Sequence, residues 1–512
     1  MSALTQHGPA AVGGGVPAPA RSWAGRAGRR AEADPPPADA VLGPLLPAVA
    51  ARLATVRGYR GPGAAGLRPY AVTVVHEGTA DLVVAVVAER GRGVRHQLLL
   101  GVGRELPARL RAAALGTVDH GPWAGRRVYD AVADPALMGV LLRALAARRV
   151  PGLHLEPATL YPLPVGLVPR PLSGGPDNTA VVYGDRLLLR LHRSPSHGPD
   201  PESDVLRALA GQDCPRTPRL YGTLYTDVPG RGRLPLGLIE EFVPGAEDGR
   251  HSALRYAHHH LADSSGGTGG FTPYAHALGQ AVAEVHLALG RAFPRRRMSP
   301  VEVAEDVFRM RRRLAEAVAE VPQLARSRSR LAAVFDEYGR QGGRGGPVAV
   351  QRTHGGLHLG RTLYAEGGWR VVGFDGDPAA PVAERALAQP ALRDVAGILR
   401  SFDQAAHTVL RELGDPDASG AARVSGARGE PADIARHTGR RHRAAAWSLG
   451  NRRAFCAGYT SAGGEDPSSR TAQLDAFEAD LSVREALHRA RVRTQGPPGP
   501  PLAGQRFASA VR

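Results

Sequence analysis

The chain has 512 residues, a formal charge of +17 and 65 basic residues, all of them arginine. With no lysine anywhere, a Walker-A phosphate loop, a Schiff-base enzyme and a kinase with the usual strand lysine are excluded in strict form. The two cysteines, Cys214 and Cys456, have no metal-like spacing, and no apolar run approaches the ~18 residues of a membrane-spanning helix. A soluble protein of a reducing cytoplasm fits these numbers. Arginine runs at 295–297, 311–313, 326–330 and 440–443 lack interleaved aromatics, so they read as solvated faces and not as a nucleic-acid fingerprint.

In chain order, residues 1–40 and 494–512 read as disordered tails rich in Ala, Pro and Gly. Three β-rich runs at 70–76, 81–87 and 94–102, with a fourth at 128–131, predict an antiparallel sheet within a unit spanning 41–150. A helix over 135–147 closes that unit, with Asp134 as its N-cap and Leu137, Val140, Leu141 and Leu145 on one face. A β-rich lobe over 151–245 follows. It has a hairpin (179–183 and 187–191) with a two-residue turn, a helix at 202–210, and strands at 220–226 and 236–242. Pro244-Gly245 reads as a hinge. Helical periodicity then dominates 246–493, at 274–289, 300–321, 392–413, 441–459 and 472–491, with a loop insertion at 414–439. The fold class is α+β: an antiparallel β cap, then a kinase-like two-lobe fold with a β-rich small lobe and a helical large lobe.

Chemistry concentrates between 351 and 403. His354-Gly355-Gly356-Leu357-His358-Leu359-Gly360-Arg361 is followed by Gly373-Phe374-Asp375-Gly376-Asp377-Pro378, then by Leu392-Arg393-Asp394-Val395-Ala396-Gly397-Ile398-Leu399-Arg400-Ser401-Phe402-Asp403. This order of His-rich loop, acidic loop and helix resembles the aminoglycoside-phosphotransferase-like kinases, and more narrowly the bacterial maltokinases. That family reads H-G-D-L-H-L-G-Q, I-D-F-E-G-E-P and L-R-D-V-A-G-M-L-R-S-F-D at these places. Val128-Tyr129-Asp130-Ala131, Glu241-Phe242-Val243-Pro244 and Trp447 with Asn451-Arg452 resemble further family blocks, so the resemblance covers about residues 45–490.

The resemblance implies transfer of the γ-phosphate of ATP to the anomeric hydroxyl of maltose with Mg²⁺, in α-glucan synthesis. It places a catalytic loop at His354, Gly356 and His358, with Gly356 where the family has its acceptor-side Asp. Arg361 and Gly373 stand where the family has metal-binding Gln and Asp. Cofactor contacts fall on Arg190, Asp204, Glu241 and Val243: Arg190 replaces the phosphate lysine, and Asp204 aligns with that lysine's helix carboxylate. The sugar side falls on Arg484, Glu485 and His488. A missing general base costs about 10²–10⁴ in rate, and glycine supplies no ligand to an ion that needs oxygens.

These departures predict a degenerate pseudokinase. The alternatives are an active sugar kinase that uses Asp375 and Asp377 for metal, and a non-enzymatic partner of a glucan-synthesis enzyme. Residues two apart on a strand face the same way, which aims Asp375 at the place of residue 373. His354 and His358 either act as weak bases or hold the loop. Asp394 reads as a cap of helix or loop donors, and residues 173–177 as a turn that could cover phosphates.

Overall fold

The computed structural model describes residues 38–494 except 57–58, 149, 160–161, 173–177, 263–269, 345–347, 378–381 and 416–430. The chain opens with α1 (Ala38–Leu42) and α2 (Leu46–Ala54), followed by β1 (Leu67–Glu77), β2 (Ala80–Glu89), β3 (Arg95–Gly103), β4 (Ala114–Thr117), β5 (Arg127–Asp130) and α3 (Pro135–Ala147). The strands form one antiparallel sheet in the order β1-β2-β3-β5-β4. Its second strand, β2, is apolar on both faces. Leu82, Val84 and Val86 pack with α3, while Val83, Ala85 and Val87 pack with Leu42, Val49 and Leu53 of α1 and α2. The Asp134 side chain accepts from Ala136 N at 3.1 Å and caps α3.

A six-stranded sheet follows, ordered β6-β10-β11-β9-β8-β7. Its members are β6 (His154–Pro157), β7 (Pro169–Leu172), β8 (Asn178–Tyr183), β9 (Leu187–His192), β10 (Leu220–Val228) and β11 (Gly232–Glu241), with α4 (Pro201–Ala210) inserted after β9. Beyond it come β12 (Glu247–Asp248), α5 (Gly249–Ala262), α6 (Thr272–Ala292), β13 (Arg296–Arg297), α7 (Pro300–Glu320), α8 (Arg328–Arg344) and β14 (Ala349–Val350). The chain ends in β15 (Thr362–Ala365), β16 (Gly368–Val371), α9 (Val382–Arg385), α10 (Leu392–Glu412), α11 (Pro431–Ser461) and α12 (Thr471–Thr494). β12, β15 and β16 form a small sheet, and the helices surround a large core that includes Phe271, Phe402, Trp447, Phe455 and Phe477. The architecture is α+β and kinase-like.

Several expectations need correction. Ala38 to Ala40, assigned to a tail, open α1. The insertion at 414–439 is shorter than expected, because α11 begins at Pro431. Pro suits a first helical turn, and Gly439 hid the helix from a propensity reading. α5 and α8 were not expected. The buried positions of α5 are small (Gly249, Ser252, Ala253, Ala257) apart from Leu261, so its apolar stripe is faint. β4 is almost wholly exposed and carries no alternation. Among the described residues no helix is long and apolar enough to cross a membrane, and Cys214 and Cys456 are free thiols.

The helical lobe depends on one close crossing. A Cβ on Gly458 of α11 would sit 1.9 Å from His276 O, and one on Gly279 of α6 would sit 2.1 Å from Phe455 O. The two helices therefore touch backbone to backbone. Gly450, on the same helix as Gly458, has nothing within 4 Å of its Cβ position. Gly458→Ala should lower stability by about 3 kcal/mol or more as the helices are forced apart. Gly450→Ala should raise it by roughly 0.5–1 kcal/mol through helix propensity. Denaturant melts of the two variants check the opposite signs.

Candidate functional site

The site lies where β9, β11, the segment after β11, β15 and the end of β16 converge. Leu188, Arg190, Pro218, Glu240, Glu241, Phe242, Val243, Ala246, Leu363, Val372 and Gly373 line a cleft there. Its walls are mostly apolar, which suits a planar aromatic group. Glu241 and Val243 both border it. The Glu241 carboxylate accepts from Arg219 N at 3.1 Å.

Asp394, in the first turn of α10, organises the loop above the cleft. Its Oδ2 accepts from His354 N (2.8 Å) and pairs with His286 Nε2 (3.1 Å), while its Oδ1 accepts from Gly355 N (3.0 Å). His286 Nδ1 in turn meets the Tyr459 hydroxyl at 2.9 Å. Burial alone would raise the Asp394 carboxyl. The His286 contact and the backbone donor outweigh it and hold the group below the ordinary carboxylate value. The helix thus grips the loop backbone through one carboxylate.

The two histidines of that loop are held by hydrogen bonds. His354 Nε2 lies 3.0 Å from Val372 O. A carbonyl only accepts, so Nε2 carries the proton. The remaining nitrogen, Nδ1, is buried without a hydrogen-bond partner, and burial pushes the ring's pKa down. His358 Nδ1 accepts from Gly360 N at 3.1 Å, which leaves the proton on Nε2. Crowding by the surrounding loop desolvates the ring and, reinforced by Arg361, pushes His358 down to about 3, although part of the side chain stays exposed to solvent. The ring is therefore neutral near pH 7 and a poor base.

Arg361 ends a short turn (Leu359–Arg361) before β15, and its backbone carbonyl accepts from Val372 N at 3.0 Å. That pairing lays its side chain beside residue 373. Arg361 Nη1 donates to Gly373 O at 3.0 Å and stands 2.8 Å from Asp375 Oδ1, an ion-pair contact without hydrogen-bond alignment. A Cβ at residue 373 would lie 2.1 Å from that Nη1, on a backbone with φ +77°. Gly356 is similarly constrained, since a Cβ there would lie 2.8 Å from Gly376 O. Asp377 is engaged on the other side. Its Oδ2 accepts from Arg484 Nη1 at 2.5 Å, and Arg484 Nε reaches Asp480 Oδ2 at 3.1 Å.

Arg190 does not pair with Asp204. Its Nη2 donates to Glu202 Oε1 (2.6 Å) and its Nε to Glu240 Oε1 (2.7 Å), with all three side chains buried. Burial pushes the Glu240 carboxyl up, and Glu202 Oε2 is buried without a partner. Asp204 is largely exposed, and partial desolvation, then the nearby Asp200 charge, raises its carboxyl. Glu202 shares a helix face with Val205, Leu206 and Leu209, all buried, so helical phase was the signal that separated it from Asp204. On the sugar side, Glu485 is taken by Arg400 (2.9 Å) and Gln404, while His488 is exposed. Residues 173–177, read as a phosphate-covering turn, lie outside the described residues.

Mg²⁺ does not fit this donor set. Gly356 and Gly373 offer no side-chain oxygen, Arg361 places a guanidinium among the remaining carboxylates, and Asp375 and Asp377 each face an arginine. Among the described residues no group of three His, Cys, Asp or Glu side chains could hold a metal ion.

The maltokinase N-terminal cap domain model matches residues 53–134. The chain is 32% identical over 249 residues to a glucosamine kinase of Streptacidiphilus jiangxiensis, covering 47% of this chain and 55% of that protein. It is 27% identical over 239 residues to a glucosamine kinase of Mycolicibacterium smegmatis, covering 46% and 58%. The chain thus spans little more than half the length of these curated relatives. A solved glucosamine kinase in complex with glucosamine, ADP and inorganic phosphate has a TM-score of 0.58 at 24% identity, covering 87% of this chain and 94% of that one, and shows the same fold.

Two outcomes follow from the geometry. Gly373→Asp alone should destabilise the protein by about 1–3 kcal/mol, from displacement of Arg361 and a side chain at positive φ. Adding Arg361→Gln should recover part of that loss, and a double-mutant cycle in urea measures the coupling. The second outcome concerns pH. His358 titrates near pH 3 in the folded chain and near 6.5 when unfolded. The unfolded chain therefore binds the proton first, and stability falls as pH drops from about 6.5 toward about 3, with no contribution above that window. His358→Asn, whose carbonyl can accept from Gly360 N, should shrink the stability difference between pH 7.5 and pH 5, by about 1 kcal/mol or less because solvent screens this exposed side chain.

Proposed function

We propose that this chain, which belongs to the maltokinase and aminoglycoside-phosphotransferase-like kinase family, is a catalytically degenerate sugar kinase. In this reading it keeps a nucleotide cleft and lacks efficient metal-assisted transfer. The observation that carries the reading is the Arg361 guanidinium, seated between Gly373 O and Asp375. Phosphoryl transfer is mostly positioning and charge neutralisation around the moving phosphate. A fixed monocation anchored to a neighbouring carboxylate neutralises less than a divalent ion and cannot bridge phosphate oxygens as one does.

The acceptor side supports the same conclusion. The acceptor hydroxyl needs a group to take its proton. Gly356 has none, His354 is buried, and His358 is held neutral with its proton-free nitrogen already accepting a hydrogen bond. The reading of Asp375 and Asp377 as substitute metal ligands loses support because both are in ion pairs with arginine.

The adenine end of ATP is assigned to the apolar walls at Leu188, Phe242, Val243, Leu363 and Val372, with Glu241 beside them. A sugar is the ligand class on the other side. The names of the relatives make glucosamine the first to test, with maltose second.

Thermal-shift and calorimetric titrations test the proposal. ATP should raise the melting temperature equally with and without Mg²⁺, as expected of a ligand that binds only the folded state through metal-independent contacts. Transfer to glucosamine or maltose should fall at least 10³-fold short of ordinary kinase turnover of about 1–100 s⁻¹. Mg²⁺-dependent ATP binding together with turnover abolished by Asp375→Ala would overturn it.

A further inference from the structure

A second cluster of arginines lies away from the cleft, where the cap sheet meets the six-stranded sheet. Three guanidinium groups converge on the ring of Tyr70. The Arg95 Cζ lies 4.7 Å from the ring centre, and those of Arg68 and Arg231 each lie 5.6 Å from it. Strand register explains two of them. Arg68 of β1 and Arg95 of β3 both pair with Ala88 of β2. They therefore stand on one face of the sheet with only a methyl group between them. Ala88 continues the row of Leu82, Val84 and Val86, the face that packs into the core shared with the six-stranded sheet. The third, Arg231, is exposed and comes from the turn between β10 and β11.

The junction is fixed by hydrogen bonds. Gln97 N of β3 donates to Arg193 O at 2.8 Å, beyond β9. The Tyr70 hydroxyl meets His197 Nε2 at 2.7 Å, and His197 Nδ1 lies 3.0 Å from Arg233 O. These contacts hold the ring and its cations between the two sheets.

Charge balance sets this place apart. Several half-buried arginines face carboxylates, as Arg313 and Arg393 face Asp480, Arg400 faces Glu485 and Arg452 faces Glu478, and others, such as Arg352 and Arg443, donate singly to backbone carbonyls. Among the described residues no carboxylate pairs with Arg68, Arg95 or Arg231, and Arg95 Nε is buried with no hydrogen-bond partner. Three like charges around one ring lie within about one Debye length of each other, so they repel with little screening. The ring face offsets that repulsion only in part. Guanidinium forks match phosphate oxygens in pairs, and a compact anion of high charge is what three guanidinium groups gathered around one ring can satisfy together. A run of side-chain carboxylates spaced along a peptide cannot concentrate its charge at one ring. None of these residues lines the cleft.

We infer that the Arg68–Arg95–Arg231 cluster is a binding site for a compact, multiply charged phosphate anion, separate from the nucleotide cleft. The test is calorimetry of the full chain with inorganic tripolyphosphate, metal-free, at fixed salt. Arg231→Gln, on an exposed turn where folding is not at stake, should weaken binding at least tenfold at an unchanged melting temperature, and Arg68→Gln should do likewise. A control pair on the exposed start of α8, Arg328→Gln with Arg330→Gln, should leave affinity as it was. The inference fails if the cluster variants bind normally, which would move the anion elsewhere, or if the control pair weakens binding equally, which would make it general surface charge. It also fails if hexaglutamate binds as tightly as tripolyphosphate.

Discussion

The hydrogen bond from Arg361 to the carbonyl of Gly373 (3.0 Å) constrains everything else at the candidate site. It forms because β15 and β16 are a hairpin whose register, Thr362 opposite Val371, brings residue 361 against residues 372 and 373. With a guanidinium there, residue 373 has no room for a β-carbon. Asp375, the nearest carboxylate, then becomes the counter-ion of the arginine and is no longer free to hold a metal. Arginine at 361 and glycine at 373 are two halves of one packing solution. The loss of metal ligands is therefore better read as a single coupled rearrangement than as two independent lesions.

The same device recurs around the site. Asp377 and Asp480 share Arg484, Glu485 holds Arg400, and Glu202 with Glu240 hold Arg190. Removing one partner from a buried pair leaves an uncompensated charge and costs several kcal/mol, whereas the intact pair contributes little net stability. Such pairs lock side chains in place. In a chain whose 65 basic residues are all arginine, locking by planar forks is the available mode, and lysine's compact mobile charge is absent.

Much of this was legible in sequence. The order of His-rich loop, acidic loop and helix located the site, and β-rich runs bounded by Gly or charged turns found most strands of the cap sheet, although β2 and β3 are buried on both faces and show no alternation. Asp394 stood out by its place at a helix start. Glu202 was missed because alignment favoured Asp204, although the Val205, Leu206 and Leu209 face pointed to Glu202. The Arg361–Gly373 coupling was not readable from local pattern. It depends on a hairpin register and a positive φ, neither of which a residue type announces. The arginines around Tyr70 were invisible for a similar reason: Arg68 and Arg95 become neighbours only once both pair with Ala88.

The charges around the cleft largely cancel. Arg361 and Asp375 cancel. Arg190 sits between two buried glutamates, so that corner is neutral only when one of them is protonated, the direction in which burial pushes Glu240. The phosphate end therefore presents no net positive charge from these groups. The base end keeps apolar walls at Leu188, Phe242, Val243 and Val372, where burial of a planar ring is worth roughly 25 cal/mol per Å². Any nucleotide affinity must then come mainly from the base end. In such a cleft the triphosphate adds little binding energy, whereas a kinase needs that end to be both tightly held and strongly neutralised for transfer.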